Sequence, residues 1–122
     1  MTKSDIAWLP KPEEHNYPAA ESYLALIYAP QKAAALVKDL KSAGMTNFKA
    51  KDIFRASQLA LLGSSNSHVA KDLEKMHGKE KISPLLLVRD MATSKVVIAD
   101  GYHRLCAVYT LDEDAIIPCK IV

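Results

Sequence analysis

Asp100-Gly101-Tyr102-His103-Arg104 sets a carboxylate, a glycine, a phenol, an imidazole and a guanidinium in five consecutive residues. They stand between an alternating apolar run, Lys95 to Ala99, and a helix-like run, Leu105 to Leu111, so they are expected at the mouth of a helix. Unpaired backbone N–H groups and the positive end of the helix dipole favour an anion there. Arg104 offers a permanently charged fork for phosphate oxygens, and His103 can donate a hydrogen bond or move a proton near neutral pH. Asp100 is expected to cap the helix, with Mg²⁺ binding as a further role, and Gly101 to let the backbone approach a ligand. The chemistry suggested is phosphate binding, with His103 and Asp100 as the candidate catalytic groups. A purely structural reading stands beside it, in which Asp100 only caps, Arg104 pairs with Asp112 or Asp114, and His103 bonds a carbonyl.

A second set lies between Ser67 and His77, where His68, Lys71 and Lys75 share one side of a predicted helix and Val69, Leu73 and Met76 another. The basic side is placed to form the opposite wall of an anion pocket. Read alone, it is first of all a solvated face, with Asp72 and Glu74 beside the lysines. Ser65 and Asn66, with Lys49, Lys51 and Arg55 upstream, are candidates for a rim, although serine and asparagine before a helix first of all form caps and turns. Cys106 follows His103 by three residues, a spacing that can face a thiol toward an imidazole, but a small buried cysteine on an apolar helix is the commoner outcome. The four histidines show no metal-ligand spacing and Glu13-Glu14 is isolated, so no metal site is expected.

The elements that must position these groups are legible from pattern. The 122 residues, 49% hydrophobic and 25% charged, suit one globular domain. Prolines 10, 12 and 18 predict an extended arm over residues 1–18, with Trp8, Leu9 and Tyr17 packing across this domain or a second copy. Helices are expected from Ala19 to Tyr28 and from Pro30 to a stop at Gly44, completing an N-terminal helical part over residues 19–44. The core, residues 45–122, should begin with a short strand at Asn47 to Ala50 and a helix capped by Asp52 and ending at Gly63. The Ser67 helix ends at Gly78. Pro84 to Val88 and Lys95 to Ala99 read as a hairpin, followed by the Leu105 helix and an edge strand from Ile116 to Val122 marked by Pro118. The order predicts an α+β domain with a small mixed sheet. The net charge of +2 argues against a dedicated nucleic-acid binder, and the two cysteines are expected reduced and buried. No apolar run suits a signal peptide or a membrane span, so a cytoplasmic location without membrane contact is expected.

Gly101-Tyr-His-Arg104-Leu-Cys-Ala107 after a hairpin, followed by Ile117-Pro-Cys-Lys-Ile-Val122, resembles the ParB/sulfiredoxin superfamily, whose signature is Gly-x-x-Arg-x-x-Ala opening a helix and a terminal strand near Ile-Pro. The stretch Val69 to Val88 is similar to the family's preceding helix and first hairpin strand, so the resemblance runs from about Phe48 to Val122. In sulfiredoxins the loop is Gly-Cys-His-Arg, in which cysteine does redox chemistry while histidine and arginine hold ATP phosphates. Tyr102 stands at the cysteine position, so sulfinic acid reduction is not expected. The resemblance puts His68, Lys71 and Lys75 where sulfiredoxins place nucleotide-binding polar residues. Partition ParB proteins carry Glu-Arg-Arg after the glycine and bind CTP, with a DNA-binding domain downstream. Tyr102 and His103 replace the first two, and the sequence ends at Val122. Free-serine kinases of the superfamily carry Asp-Gly-x-His-Arg, matching Asp100, Gly101, His103 and Arg104, while their catalytic glutamate has no counterpart mapped onto Glu13, Glu14 or Glu21. The pattern is also similar to small bacterial ParB-like proteins.

The expectation is therefore a ParB/sulfiredoxin-like domain that binds a nucleotide or other phosphorylated ligand, with ATP, ADP or CTP and Mg²⁺ as candidate cofactors. Gly101, Tyr102, His103 and Arg104 would form one wall, and His68, Lys71, Lys75, Ser65 and Asn66 the other. Any catalysis would be phosphoryl transfer or nucleotide hydrolysis, which depend on positioning and charge more than on a special nucleophile. One alternative is a non-enzymatic homodimerisation or partner-binding module built on the Trp8/Tyr17 arm. Another, which the low net charge disfavours, is a DNA-binding or nuclease protein.

Overall fold

Leu85, Leu86, Leu87 and Val88 are consecutive, apolar and all buried, because both faces of their strand are covered. The computed structural model describes residues 5–122. Its elements are α1 (Asn16–Leu24), α2 (Pro30–Ser42), β1 (Thr46–Lys49), α3 (Ala50–Ser57), α4 (Ser67–His77), β2 (Leu85–Asp90), β3 (Lys95–Asp100), α5 (Tyr102–Leu111) and β4 (Ile116–Ile121). The architecture is the expected α+β type with a four-stranded mixed sheet in the order β1-β4-β2-β3. β4 runs antiparallel to β1 and parallel to β2, and β2 and β3 form an antiparallel hairpin. Because side chains alternate along a strand, Leu85 and Leu87 join a core with α3, α4 and α5, whereas Leu86 and Val88 join a second core with α1 and α2.

Several boundaries depart from expectation for local physical reasons. Residues 1–4 of the arm lie outside the described residues. The arm ends earlier than predicted, since α1 begins at Asn16 and takes in Pro18. A proline costs little in a first helical turn, where its missing N–H has no intrahelical acceptor to satisfy. The arm lies across its own domain: Trp8 bridges to Ile82 in parallel, Leu9 N–H donates to the Ile82 carbonyl at 2.9 Å, and Ile82 N–H donates to Ala7 at 2.9 Å. Asp52 does not cap α3 but sits in its first turn, because the N–H groups of Ala50 and Lys51 already donate to the carbonyls of Ala115 and Glu113. The same helix stops at Gln58 in the left-handed region, short of Gly63, where the Ser57 hydroxyl donates to Phe54 O at 2.8 Å. α2 opens on Pro30 as expected but ends before Gly44. The ammonium of Lys120, a buried residue on β4, donates to the Lys41 carbonyl at 3.0 Å and satisfies the last turn.

β4 is a central strand, not the edge that Pro118 suggested. Its ladder with β2 starts only at Cys119, so Pro118 occupies the portion of β4 that pairs with β1 alone, where a missing donor is tolerated. At the hairpin turn the Asp90 carboxylate accepts from Ala92 N–H at 3.3 Å and from the Thr93 hydroxyl at 2.9 Å. Among the described residues, no helix is long and apolar enough to cross a membrane.

Candidate functional site

The sequence-predicted cluster lies where β3 hands over to α5. Asp100 ends β3, and Gly101, not Asp100, is the N-cap residue of α5, with no side-chain cap bond. The aspartate is diverted by Arg104, whose Nη2 donates to Asp100 Oδ2 at 3.1 Å and reaches the Pro84 carbonyl at 3.4 Å. Arg104 thus pairs with neither Asp112 nor Asp114; the latter is held by Lys51 at 2.7 Å. The Arg104 Nε is buried with no hydrogen-bond partner. Gly101 is required on two counts. Its φ is +112°, and a Cβ there would stand 2.7 Å from Leu85 Cγ and 3.0 Å from Arg104 Nη2. The close approach it permits is therefore to the protein's own Leu85 and Arg104. Since Leu105 N–H is the first to bond back, to the Gly101 carbonyl at 2.9 Å, the N–H groups of Tyr102, His103 and Arg104 have no acceptor among the described residues.

α4 supplies the facing wall. Asn66 caps it by accepting from the N–H groups of His68 and Val69, at 2.9 Å and 3.2 Å, so its carboxamide oxygen is committed to the helix. One turn in, the His68 imidazole lies against that of His103, ring centroids 4.8 Å apart. The Tyr102 ring flanks His103 on its other side at 5.5 Å, and its hydroxyl donates to the Ala60 carbonyl, fixing the segment after α3 over the helix mouth. Asp72, a half-buried α4 residue, is the hub of the charges here. Its carboxyl is pushed above its ordinary range by burial, against the pull of Arg104, Lys75, His103 and His68. Its place beside surface lysines in the sequence conceals that half-burial.

The first turn of α5 separates two hollows. Arg104 and Asp72 line a polar cleft of about 390 Å³ that also reaches Lys75, Glu13 of the arm and Asn16 at the start of α1. His103, Gly101 and Tyr102 line a hollow of about 350 Å³ walled by Tyr23 and Leu59. The structure therefore brings His68, His103, Arg104 and Lys75 around Asp72, while the imidazole and guanidinium of adjacent residues open to different sides. Ser65 and Lys71 are exposed and line neither hollow. Lys51 and Arg55 belong to a separate hollow beside Phe54 and Tyr109.

Two residues absent from the candidates read in the sequence, Asn16 at the start of α1 and Ser83 just before β2, complete the polar cleft. Asn16 and Ser83 are each 4% exposed. Glu13 N–H donates to the Ser83 hydroxyl at 3.1 Å, and that hydroxyl donates to Asn16 Oδ1. Cys106 is buried and its thiol is pushed up by burial; it faces the Tyr102 hydroxyl and Leu62, not the His103 imidazole. Asp100 has one carboxylate oxygen engaged by Arg104, and no group of three or more His, Cys, Asp or Glu side chains among the described residues could hold a metal ion. No family model, curated protein or solved structure matches the chain.

Proposed function

We propose that the corner between α4 and the first turn of α5 binds the phosphate of a small phosphorylated ligand, with a nucleotide as one form of it. The observation that supports this is that three first-turn N–H groups without an acceptor among the described residues lie beside the His68/His103 imidazole pair, with the Arg104 charge on the other side of the same turn. Two imidazoles 4.8 Å apart repel when both are protonated, and an anion between them and the amides relieves that repulsion. Arg104 is held in place by Asp100 and contributes a fixed positive charge without the entropy cost of ordering a free side chain. Mg²⁺ would enter on the ligand's own phosphates. Where turnover occurs, phosphoryl transfer or nucleotide hydrolysis is the reaction class, with His103 as the proton-moving group.

The test is calorimetric titration of inorganic phosphate, ATP, ADP and CTP, with and without Mg²⁺, into wild type and His103→Ala. Binding that weakens about tenfold or more in the variant supports the reading. Absence of heat with every one of these anions at millimolar concentration overturns it.

A second reading, association through an apolar surface, rests on Leu26, which is 84% exposed, beside Tyr23 and Ile27 at the end of α1. Trp8 and Tyr17, by contrast, are engaged with their own domain. Sedimentation of wild type against Leu26→Glu decides it: a concentration-dependent dimer lost in the variant supports association, and a monomer in both removes it.

A further inference from the structure

The Arg104 side of the corner contains a feature that phosphate binding leaves unused. Asn16 is 4% exposed, yet only its carboxamide oxygen has a partner. The chain Glu13 N–H to Ser83 Oγ to Asn16 Oδ1 fixes the amide's orientation, since Ser83 accepts from the backbone and must give its own proton onward. The Asn16 Nδ2 therefore turns to the cleft as a donor with no acceptor among the described residues. That Nδ2 is not sealed from solvent, the Arg104 Nε being the buried side-chain nitrogen without a partner among the described residues, so a ligand in the cleft can take this donor in place of water. On the other side of the same cleft stands the Asp72 carboxylate, which accepts and whose burial is poorly compensated.

The charges in this cleft nearly cancel. Arg104 is tied to Asp100, and Lys75 lies 3.9 Å from Glu80. The cleft therefore offers a ligand a donor in Asn16 and an acceptor in Asp72 rather than a net charge. A group that both donates and accepts, carries no charge of its own and fits about 390 Å³ matches that pair. Hydroxyl groups on a small carbon frame do so: one oxygen takes the Asn16 N–H, and another gives its proton to Asp72.

We infer that this cleft holds the hydroxyl-rich body of the ligand, so that the molecule bound is a sugar phosphate or comparable polyol phosphate, with Asn16 and Asp72 reading its hydroxyls. The position of its phosphate rests on the reading proposed above; the hydroxyl subsite rests on Asn16, Ser83 and Asp72 alone. Arg104, which borders both, joins the two parts.

The probes are ribose 5-phosphate, glucose 6-phosphate, AMP, inorganic phosphate and free ribose, titrated into wild type, Asn16→Asp and Asp72→Asn. Asn16→Asp keeps the acceptor for Ser83 and replaces the donor with an acceptor and a negative charge, whose general effect on anions the ratio to inorganic phosphate cancels. Asp72→Asn retains the side chain's size and relieves a buried charge, so it keeps the test available if the first variant folds poorly. The expected result is a sugar phosphate binding about tenfold or more tighter than inorganic phosphate, with that ratio falling at least threefold in each variant. A sugar phosphate that binds no better than inorganic phosphate overturns the hydroxyl subsite and leaves the phosphate site standing, as does a preference for AMP that neither variant alters. Free ribose binding in an Asn16-dependent way without any phosphate binding does the reverse. Silence from all five probes overturns both.

Discussion

Arg104 and Asp100 hold each other across the first turn of α5, Nη2 to Oδ2 at 3.1 Å, with side chains only 18% and 21% exposed. A pair this sheltered is costly to break from one side, because the remaining charge keeps its desolvation cost and loses its partner. Arg104→Ala is expected to destabilise the fold by about 2 kcal/mol, and Asp100→Asn by less, since the asparagine oxygen still accepts. The double variant should recover part of the loss. Urea unfolding of all four proteins measures the coupling as a double-mutant cycle; additive losses would show that the two side chains act independently.

Asp72 sets a pH dependence of definite sign. Its folded-state carboxyl titrates above the ordinary value of 3.8, with burial the leading cause. For a group shifted that way, the stabilising contribution is complete below the unfolded value and is lost as pH rises through the folded one. The ionised aspartate thus opposes folding near neutral pH. Asp72→Asn should be at least as stable as wild type at pH 7, with the gap closing by about pH 3 to 4, where both forms are neutral. Chemical denaturation at pH 3, 5 and 7 checks this; a variant less stable than wild type at pH 7 contradicts it.

Gly101→Ala combines a positive φ with a collision against Leu85 and Arg104. The expected loss is about 2–3 kcal/mol, on the order of 10 °C in Tm. Gly44→Ala, where a Cβ meets nothing within 4 Å, is the internal control and should shift the melt by far less.

Both thiols are buried, and burial pushes Cys119 up to about 11. At pH 8 neither Cys106 nor Cys119 should react with an aromatic disulfide reagent in the native state, while both react in concentrated guanidinium. Prompt labelling of one thiol in native buffer would show that the core around α5 or β4 opens locally.

How much of this was written locally in the chain differs from residue to residue. Gly101, His103 and Arg104 were legible because a period-two run switches to a helical one around them, and that handover depends on near neighbours alone. Asp72 was not, since its four-residue surroundings resemble an ordinary charged helix face and its burial comes from α5, about thirty residues on. Asn16 was hidden further: its partner Ser83 is 67 positions away, and the proline-rich stretch around it pointed to an extended arm. Pro118 misled because the rule that bars proline from inner strands acts on single hydrogen bonds, and β4 is inner along only part of its length. Asp100 misled because two roles compete for one carboxylate, and a guanidinium four residues on outbids three amides that water can serve.

Lys120 is 8% exposed, with its ammonium given to the Lys41 carbonyl and lying 5.7 Å from the centre of the Tyr17 ring. An acylating reagent that modifies the outward-facing lysines of the native molecule will therefore pass this one by. A chain acylated there before it folds would have a neutral, bulkier group to place between the two N-terminal helices and the sheet. Mass mapping of acyl groups added before and after refolding turns that single amine into a timer for when the N-terminal layer closes.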